Sequence, residues 1–110
     1  MTKKAEYLLI FSTCPDSISA KKIAHDLVEE QLAVCINIIP GLESFFLWLG
    51  EVDKANELLL VIKTTSNKYA PLEKRLKKLH PYELPEIIVV PILTGSAEYL
   101  NWINTNIGES

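Results

Sequence analysis

The sequence is poor in residue types and motifs on which several common functions depend. Arg75 is the only arginine among its 110 residues and the formal net charge is -3, so it lacks the basic surface that nucleic acids and anionic membranes attract. No apolar run approaches the roughly 18 residues of a membrane span. The two cysteines, Cys14 and Cys35, form neither a Cys-x-x-Cys motif nor a disulfide framework. These absences predict a cytoplasmic protein without a nucleic-acid or membrane partner.

What the sequence does contain is an ordered alternation of strand-like and helix-like segments. Apolar, β-rich runs predict strands over residues 6–13, 33–49, 57–65 and 86–93. A bulge at Pro40-Gly41 is expected within the second strand, and a loop of more than two residues between the second and third. Helical spacing predicts one helix from residue 18 to about 31, a second over 69–79 capped by Asn67, and a last one after Gly95-Ser96.

The order of these elements predicts a single α+β domain over residues 1–110. Two βαβ halves in series are typical of the ferredoxin-like arrangement (βαββαβ), here followed by a C-terminal helix. We therefore expect a mainly antiparallel sheet with its helices on one face. Pro15-Asp16-Ser17 ends the first strand and offers side chains that can cap the first helix.

The stretch from Phe45 to Leu49 breaks the alternation expected of a sheet with one covered face. All of its residues are apolar. Because successive strand side chains point to opposite faces, at least two large ones must leave the helix-covered core. Such a patch is typical of an interaction surface and predicts self-association. The alternative is that the last helix folds back over this face and the chain stays monomeric.

Several side chains have the chemistry of a functional site, and each has a structural alternative. Cys14 lies where a helix begins, which favours a thiolate nucleophile or metal ligand, although an inert buried cysteine is the commoner outcome. Cys35, in the middle of an apolar strand, fits the inert role better still. His80 begins a cluster with Tyr82, Glu83 and Glu86 in a segment stiffened by two prolines, which suits either a rigid site or a helix C-terminus followed by a turn.

Two further positions combine polar and apolar neighbours. Lys63 is the only charged residue from Leu58 to Thr65, so it either extends its ammonium to the sheet edge or faces a polar pocket. Trp48 and Glu51 place an aromatic ring beside a carboxylate at the end of the predicted hairpin.

Five strings of the sequence resemble the motifs of the CutA divalent-cation tolerance family, in that family's order. They are Thr13-Cys14-Pro15-Asp16, Leu32 to Gly41, Trp48 to Val52, Ile62-Lys63-Thr64-Thr65 and His80 to Ile87, and Tyr99 to Trp102 in the last helix matches as well. The resemblance covers residues 6–105. It implies a homotrimer of ferredoxin-like subunits, related in architecture to the PII signal-transduction proteins. It also implies a role in tolerance of divalent cations, copper above all, in the cytoplasm.

The resemblance further implies two kinds of site. Family members bind copper through a cysteine near the end of the first strand and a His-His pair before Pro-Tyr. Here Ser12 stands at the cysteine position and Leu79 precedes the histidine. The candidate ligands for copper or another divalent cation are His80, Cys14 and Cys35. A pocket between subunits, like the effector clefts of PII-like trimers, would take a small molecule. Its residues are Asn37, Trp48, Glu51, Lys63, Tyr82 and Glu86.

Three functions are compatible with the sequence. The first is a trimeric protein that responds to a metal ion or a small ligand and turns over no substrate. The second is an enzyme whose site combines Cys14, His80 and Lys63 of adjacent subunits, which requires the thiol to lie within hydrogen-bond reach of the imidazole. The third is a trimeric scaffold that presents a surface to a protein partner.

Overall fold

The computed structural model describes residues 6–108 and contains a four-stranded antiparallel sheet. Its strands are β1 (Tyr7–Cys14), β2 (Cys35–Trp48), β3 (Glu51–Thr65) and β4 (Ile88–Pro91), in the spatial order β2-β3-β1-β4. The helices are α1 (Ser17–Glu29), α2 (Tyr69–Leu79) and α3 (Ala97–Ile103), with a 3-10 turn (Ser66–Lys68) before α2 and a π-helical turn (Asn104–Gly108) after α3. This arrangement confirms the predicted α+β, ferredoxin-like fold. The ends of the predicted single domain, residues 1–5 and 109–110, lie outside the described residues.

The hydrophobic core lies between the sheet and helices α1 and α2. Alternate residues of the central strands meet helix residues spaced by three or four, and the fully buried large side chains are Ile10, Ile23, Leu27, Leu60, Ile62, Leu72 and Leu76. Burying each is worth roughly 1.5–3 kcal/mol. Asp16 caps α1 as predicted, because its Oδ1 accepts a hydrogen bond from the Ser19 N–H at 2.7 Å. Asn67, the predicted cap of α2, lies instead in the 3-10 turn, and α2 begins without a side-chain cap.

The β2–β3 hairpin corrects one prediction and confirms another. Its loop is only Leu49-Gly50, since Trp48 already pairs with Glu51, and both loop residues have positive φ, 51° and 82°. Two such residues form the tight turn whose twist matches that of paired strands. The predicted longer loop was wrong because the polar segment 51–56 pairs with β2 despite its composition. The bulge is confirmed by the register shift between Ile39 and Leu42, and Gly41 there has φ 82°.

The outer part of this hairpin, residues 42–57, forms an arm that extends beyond the rest of the sheet. β1 ends where Cys14 pairs with Leu58, so no third strand continues alongside the arm. Phe45, Leu47 and Leu49 are 68%, 76% and 89% exposed. Helix α3 does not cover these side chains. In the single chain, the alternative that the last helix folds back over the apolar stretch is therefore wrong.

The sheet has a second surface, opposite the helices, which we call the open sheet face. Strand alternation and register assign to it Leu9, Phe11, Cys35, Asn37, Ile39, Leu59, Val61, Lys63, Ile88 and Val90. These side chains are half-buried or exposed, and all but Cys35, Asn37 and Lys63 are hydrocarbon. The same alternation adds the hydroxyl-bearing Tyr7, Thr13 and Thr65 at the ends of this face. β4, predicted over 86–93, is limited to Ile88–Pro91 and pairs only with Leu8 to Phe11. Among residues 6–108 no helix is long and apolar enough to cross a membrane.

Candidate functional site

The first of two polar clusters lies on the open sheet face, where β2 and β3 are paired. Cys35 is the cross-strand partner of Lys63. The Lys63 ammonium donates a hydrogen bond to Oδ1 of Asn37 at 2.7 Å and lies 3.8 Å from Sγ of Cys35. Lys63 forms no ion pair with any carboxylate of residues 6–108. We call Cys35, Asn37 and Lys63 the face cluster.

The second polar cluster joins the end of β1, Glu57 of β3 at the base of the arm, and the loop after α2. His80 is buried there, with Nε2 at 2.7 Å from the Thr13 carbonyl oxygen and 3.8 Å from Sγ of Cys14. Nδ1 of His80 accepts a hydrogen bond from the backbone N–H of Tyr82 at 3.1 Å. The Tyr82 hydroxyl in turn donates to Oε2 of the buried Glu57 at 2.7 Å. We call these residues the buried cluster.

The hydrogen bonds of His80 fix the state of its ring. A carbonyl oxygen only accepts, so Nε2 carries the hydrogen, and a backbone N–H only donates, so Nδ1 presents its lone pair. Both nitrogens therefore already have partners within the chain. His80 ties the loop after α2 to the end of β1, which is a structural role.

Burial also raises the pKa of two groups in the buried cluster, the Cys14 thiol and the Tyr82 hydroxyl. Desolvation, followed by the negative charges of Asp16 and Glu57, raises the pKa of Cys14 from 9.0 to about 11. Desolvation first, and then the hydrogen bond to Glu57, raises the pKa of Tyr82. Both groups are protonated at neutral pH. Any lowering of the thiol pKa by the start of α1 is outweighed by burial.

The copper site implied by the family resemblance does not fit the buried cluster as it is arranged. A copper ligand must offer a thiolate or a free imidazole lone pair. Both His80 nitrogens already have partners within the chain, so neither offers a free lone pair. Cys35 cannot join them, because it lies on the open sheet face and β3 separates its strand from β1. In the described part of the chain, the one cluster of three side chains that could together hold a metal ion is His25, Asp26 and Glu29 of α1. His25 and Glu29 are exposed and Asp26 is half-buried, and Lys22 and Arg75 approach the Asp26 carboxylate.

The residues predicted to line a ligand pocket fall into four separate places. Asn37 and Lys63 meet on the open sheet face, whereas Trp48 and Glu51 face each other at the exposed tip of the arm. The strand from Asn37 to Trp48 spans roughly 35 Å at the usual rise per residue. Tyr82 belongs to the buried cluster, and Glu86 is exposed in the loop before β4. A single chain therefore does not form this pocket.

Glu57 is a site residue that the sequence pattern did not indicate. It appeared only as the first residue of a strand, yet Glu57 is 8% exposed and its carboxylate accepts a hydrogen bond from the Tyr82 hydroxyl. The available signal was a charged residue directly before the apolar run Leu58 to Ile62. A buried carboxylate in such a position requires a donor nearby.

Comparison with known proteins finds matches over nearly the whole chain. A family model described as CutA1 divalent ion tolerance protein matches residues 8–106. The divalent-cation tolerance protein CutA of Thermus thermophilus is 48% identical over 100 residues, 91% of this chain and 97% of that protein. A chloroplastic CutA protein of Arabidopsis thaliana is 38% identical over 96% of this chain, which spans 58% of that longer protein. The crystal structure of CutA from Xylella fastidiosa has a TM-score of 0.91 and 46% identity, and covers 94% of this chain and 99% of its own.

Proposed function

Because this chain belongs to the CutA1 divalent ion tolerance family, we propose that it acts in cation tolerance as a homotrimer that binds a small ligand or a metal ion between its subunits. Membership confirms the family predicted from the motifs, and the prediction that the protein is not an enzyme. The buried cluster agrees with that conclusion, since Cys14 is a protonated thiol and His80 has no free nitrogen to act as its base.

The observation that carries the proposed assembly is the exposed arm. Its large apolar side chains are unsatisfied in the single chain, and burying each against another copy is worth roughly 1.5–3 kcal/mol. Leu49 adds a second argument. Its φ of 51° is a conformation that glycine and asparagine adopt at lower cost, yet the position holds a leucine that is 89% exposed. A strained, exposed leucine is understandable if another subunit covers it.

The open sheet face supports the same assembly. It presents a broad apolar surface interrupted by the face cluster, and larger surfaces of this kind mark interaction sites. If copies pack against this face, the tip of one subunit's arm, with Trp48 and Glu51, can reach residues of another subunit. The pocket predicted from the sequence would then form between subunits, as the effector clefts of PII-like trimers do, and the protein would have a regulatory role. Fold-level analogy alone supports that regulatory role.

Two parts of the proposal concern compartment and metal. We place the protein in the cytoplasm, because both cysteines are free thiols, although one relative is named as chloroplastic. Direct copper binding at the buried cluster is the second candidate, favoured by the 3.8 Å approach of Cys14 Sγ to His80 Nε2. It requires His80 to release the Tyr82 N–H or the Thr13 carbonyl.

The experiment begins with the oligomeric state of the reduced, metal-free protein by sedimentation velocity, followed by calorimetric titration with copper and with zinc. The variant Cys14→Ser, His80→Ala removes the candidate metal ligands, and Lys63→Met removes a pocket residue. We expect a trimer whose metal affinity is equal in wild type and the double variant. Tight binding that disappears in the double variant would place the metal at the buried cluster instead. A monomeric wild type would contradict the assembly. If the protein were instead a scaffold for a protein partner, Lys63→Met and Tyr82→Phe would leave its function intact.

A further inference from the structure

We propose that the face cluster is an anion site, and that the ligand of the inter-subunit pocket carries a carboxylate or phosphate group bound by Lys63 and Asn37. The inference rests on the proposed trimer, because only assembly closes the open sheet face over these residues. It adds the chemical class of the ligand, which the family resemblance does not supply.

The position of Lys63 makes its charge unusual. It lies on a central strand, between Leu9 of β1 and Cys35 of β2, on a face otherwise lined mainly by hydrocarbon side chains. Its neighbours within hydrogen-bond distance are the Asn37 amide oxygen and the Cys35 sulfur. No carboxylate of the described residues pairs with it. In the single chain, water compensates the ammonium, since Lys63 is only half-buried.

Assembly changes that balance. Packing another subunit on this face removes water from the ammonium, and an isolated charge is strongly disfavoured in such surroundings. An anion that enters with the assembly, or binds after it, restores the balance. The same argument explains why a lysine can be retained at the centre of an apolar interface.

The hydrogen bond between Lys63 and Asn37 also sets the geometry of the site. A lysine only donates, so the Asn37 amide must direct its oxygen toward the ammonium and its NH2 group away from it. Two of the three ammonium donors are used, by Asn37 and Cys35, which leaves one ammonium donor in addition to the amide donors of Asn37. Adjacent donors from an ammonium and an amide suit a group with two or three oxygens, a carboxylate or a phosphate.

A carboxylate of a neighbouring subunit is the competing source of negative charge. Glu51 at the arm tip and Glu86 before β4 are both exposed in the single chain, and either can reach across an interface. Glu57, in contrast, is already bound by Tyr82. We favour a small ligand because the face cluster offers donors from two residues, more than a single charge pair requires.

The test is a calorimetric titration of the wild-type protein with inorganic phosphate and with malonate at fixed ionic strength, using uncharged malonamide as the control ligand. We expect saturable binding of an anion and none of malonamide. Lys63→Met should weaken binding about tenfold or more, the effect of losing a charge-assisted hydrogen bond. Asn37→Asp should weaken it as well, since a carboxylate repels the anion. Lys77→Met, an exposed lysine of α2 paired with Glu73, is the matched control and should leave the affinity unchanged.

Sedimentation of each variant separates this inference from the proposed function. A trimeric wild type that binds neither anion, or that binds equally well as Lys63→Met, would overturn the anion site and leave the trimer standing. Anion binding that increases in Glu51→Gln or Glu86→Gln would also overturn it, because a neighbouring carboxylate would then be the native partner of Lys63. A monomeric wild type would overturn both.

Discussion

The two surfaces of the sheet differ in how completely the single chain satisfies them. On the helix side, Ile10, Leu60 and Ile62 are fully buried, and the nearby His80 has a partner for each ring nitrogen. On the other side and along the arm, large apolar side chains remain accessible, and the Lys63 ammonium there pairs with no carboxylate of residues 6–108. The helix side is stabilised by contacts within the chain, whereas the arm and the open sheet face leave apolar surface accessible to a partner.

The largest expected effect is the loss of assembly when the apolar side chains of the arm are removed. Replacing Phe45 and Leu47 together by serine removes two exposed apolar side chains that assembly would bury. We expect a loss of about 3 kcal/mol or more at each interface, a dissociation constant raised about a hundredfold. Sedimentation equilibrium measures the change. The unfolding free energy of the isolated chain should hardly change, because surface substitutions usually have little effect.

Leu60→Ala is the matched control on the helix side. It should lower the unfolding free energy by about 2–5 kcal/mol through lost burial and a cavity, measured by urea denaturation. Assembly of the folded fraction should persist. If the arm variant lost as much stability as Leu60→Ala while keeping its oligomeric state, the distinction between the two surfaces would be wrong.

The next effect is the pH dependence of stability caused by Cys14, which lies on the helix side of the sheet. The pKa of Cys14 is raised from 9.0 to about 11, so folding favours its protonated form. That contribution, on the order of 2 kcal/mol, is fully present below pH 9 and is lost as pH rises through the folded pKa. Chemical denaturation of wild type and Cys14→Ala at a series of pH values should therefore show the wild type losing more stability between pH 9 and 11. If the stability of Cys14→Ala fell with pH in parallel with that of the wild type, burial would not raise the pKa of the Cys14 thiol.

The smallest effect concerns the turn at the tip of the arm. Leu49→Asn should relieve the strain of a positive φ and stabilise the hairpin by about 1 kcal/mol. The same change should weaken assembly, because it removes an exposed apolar side chain. Opposite signs for the two measurements are the expected result, by thermal unfolding and by sedimentation. If assembly stays equally strong, Leu49 is not covered by another subunit.

The sequence predicted the fold more completely than the site. Strand and helix periodicity placed the elements, and Pro40-Gly41 indicated the bulge, because these signals are local. The tight turn at Leu49-Gly50 was missed, since leucine is uncommon at positive φ and the following segment is polar. Cys14 and His80 were both singled out, but their 3.8 Å approach joins residues far apart in the chain.

By itself, then, the sequence determined the order of the elements, the family and the presence of an apolar stretch at the end of the hairpin. These depend on patterns within short segments or on strings of adjacent residues. Only the tertiary structure decided that Cys14 and Cys35 lie on opposite faces, that both nitrogens of His80 are engaged and that Lys63 is held by Asn37. Such facts depend on strand register and on which alternate residues face the helices, and pairing between distant segments fixes both.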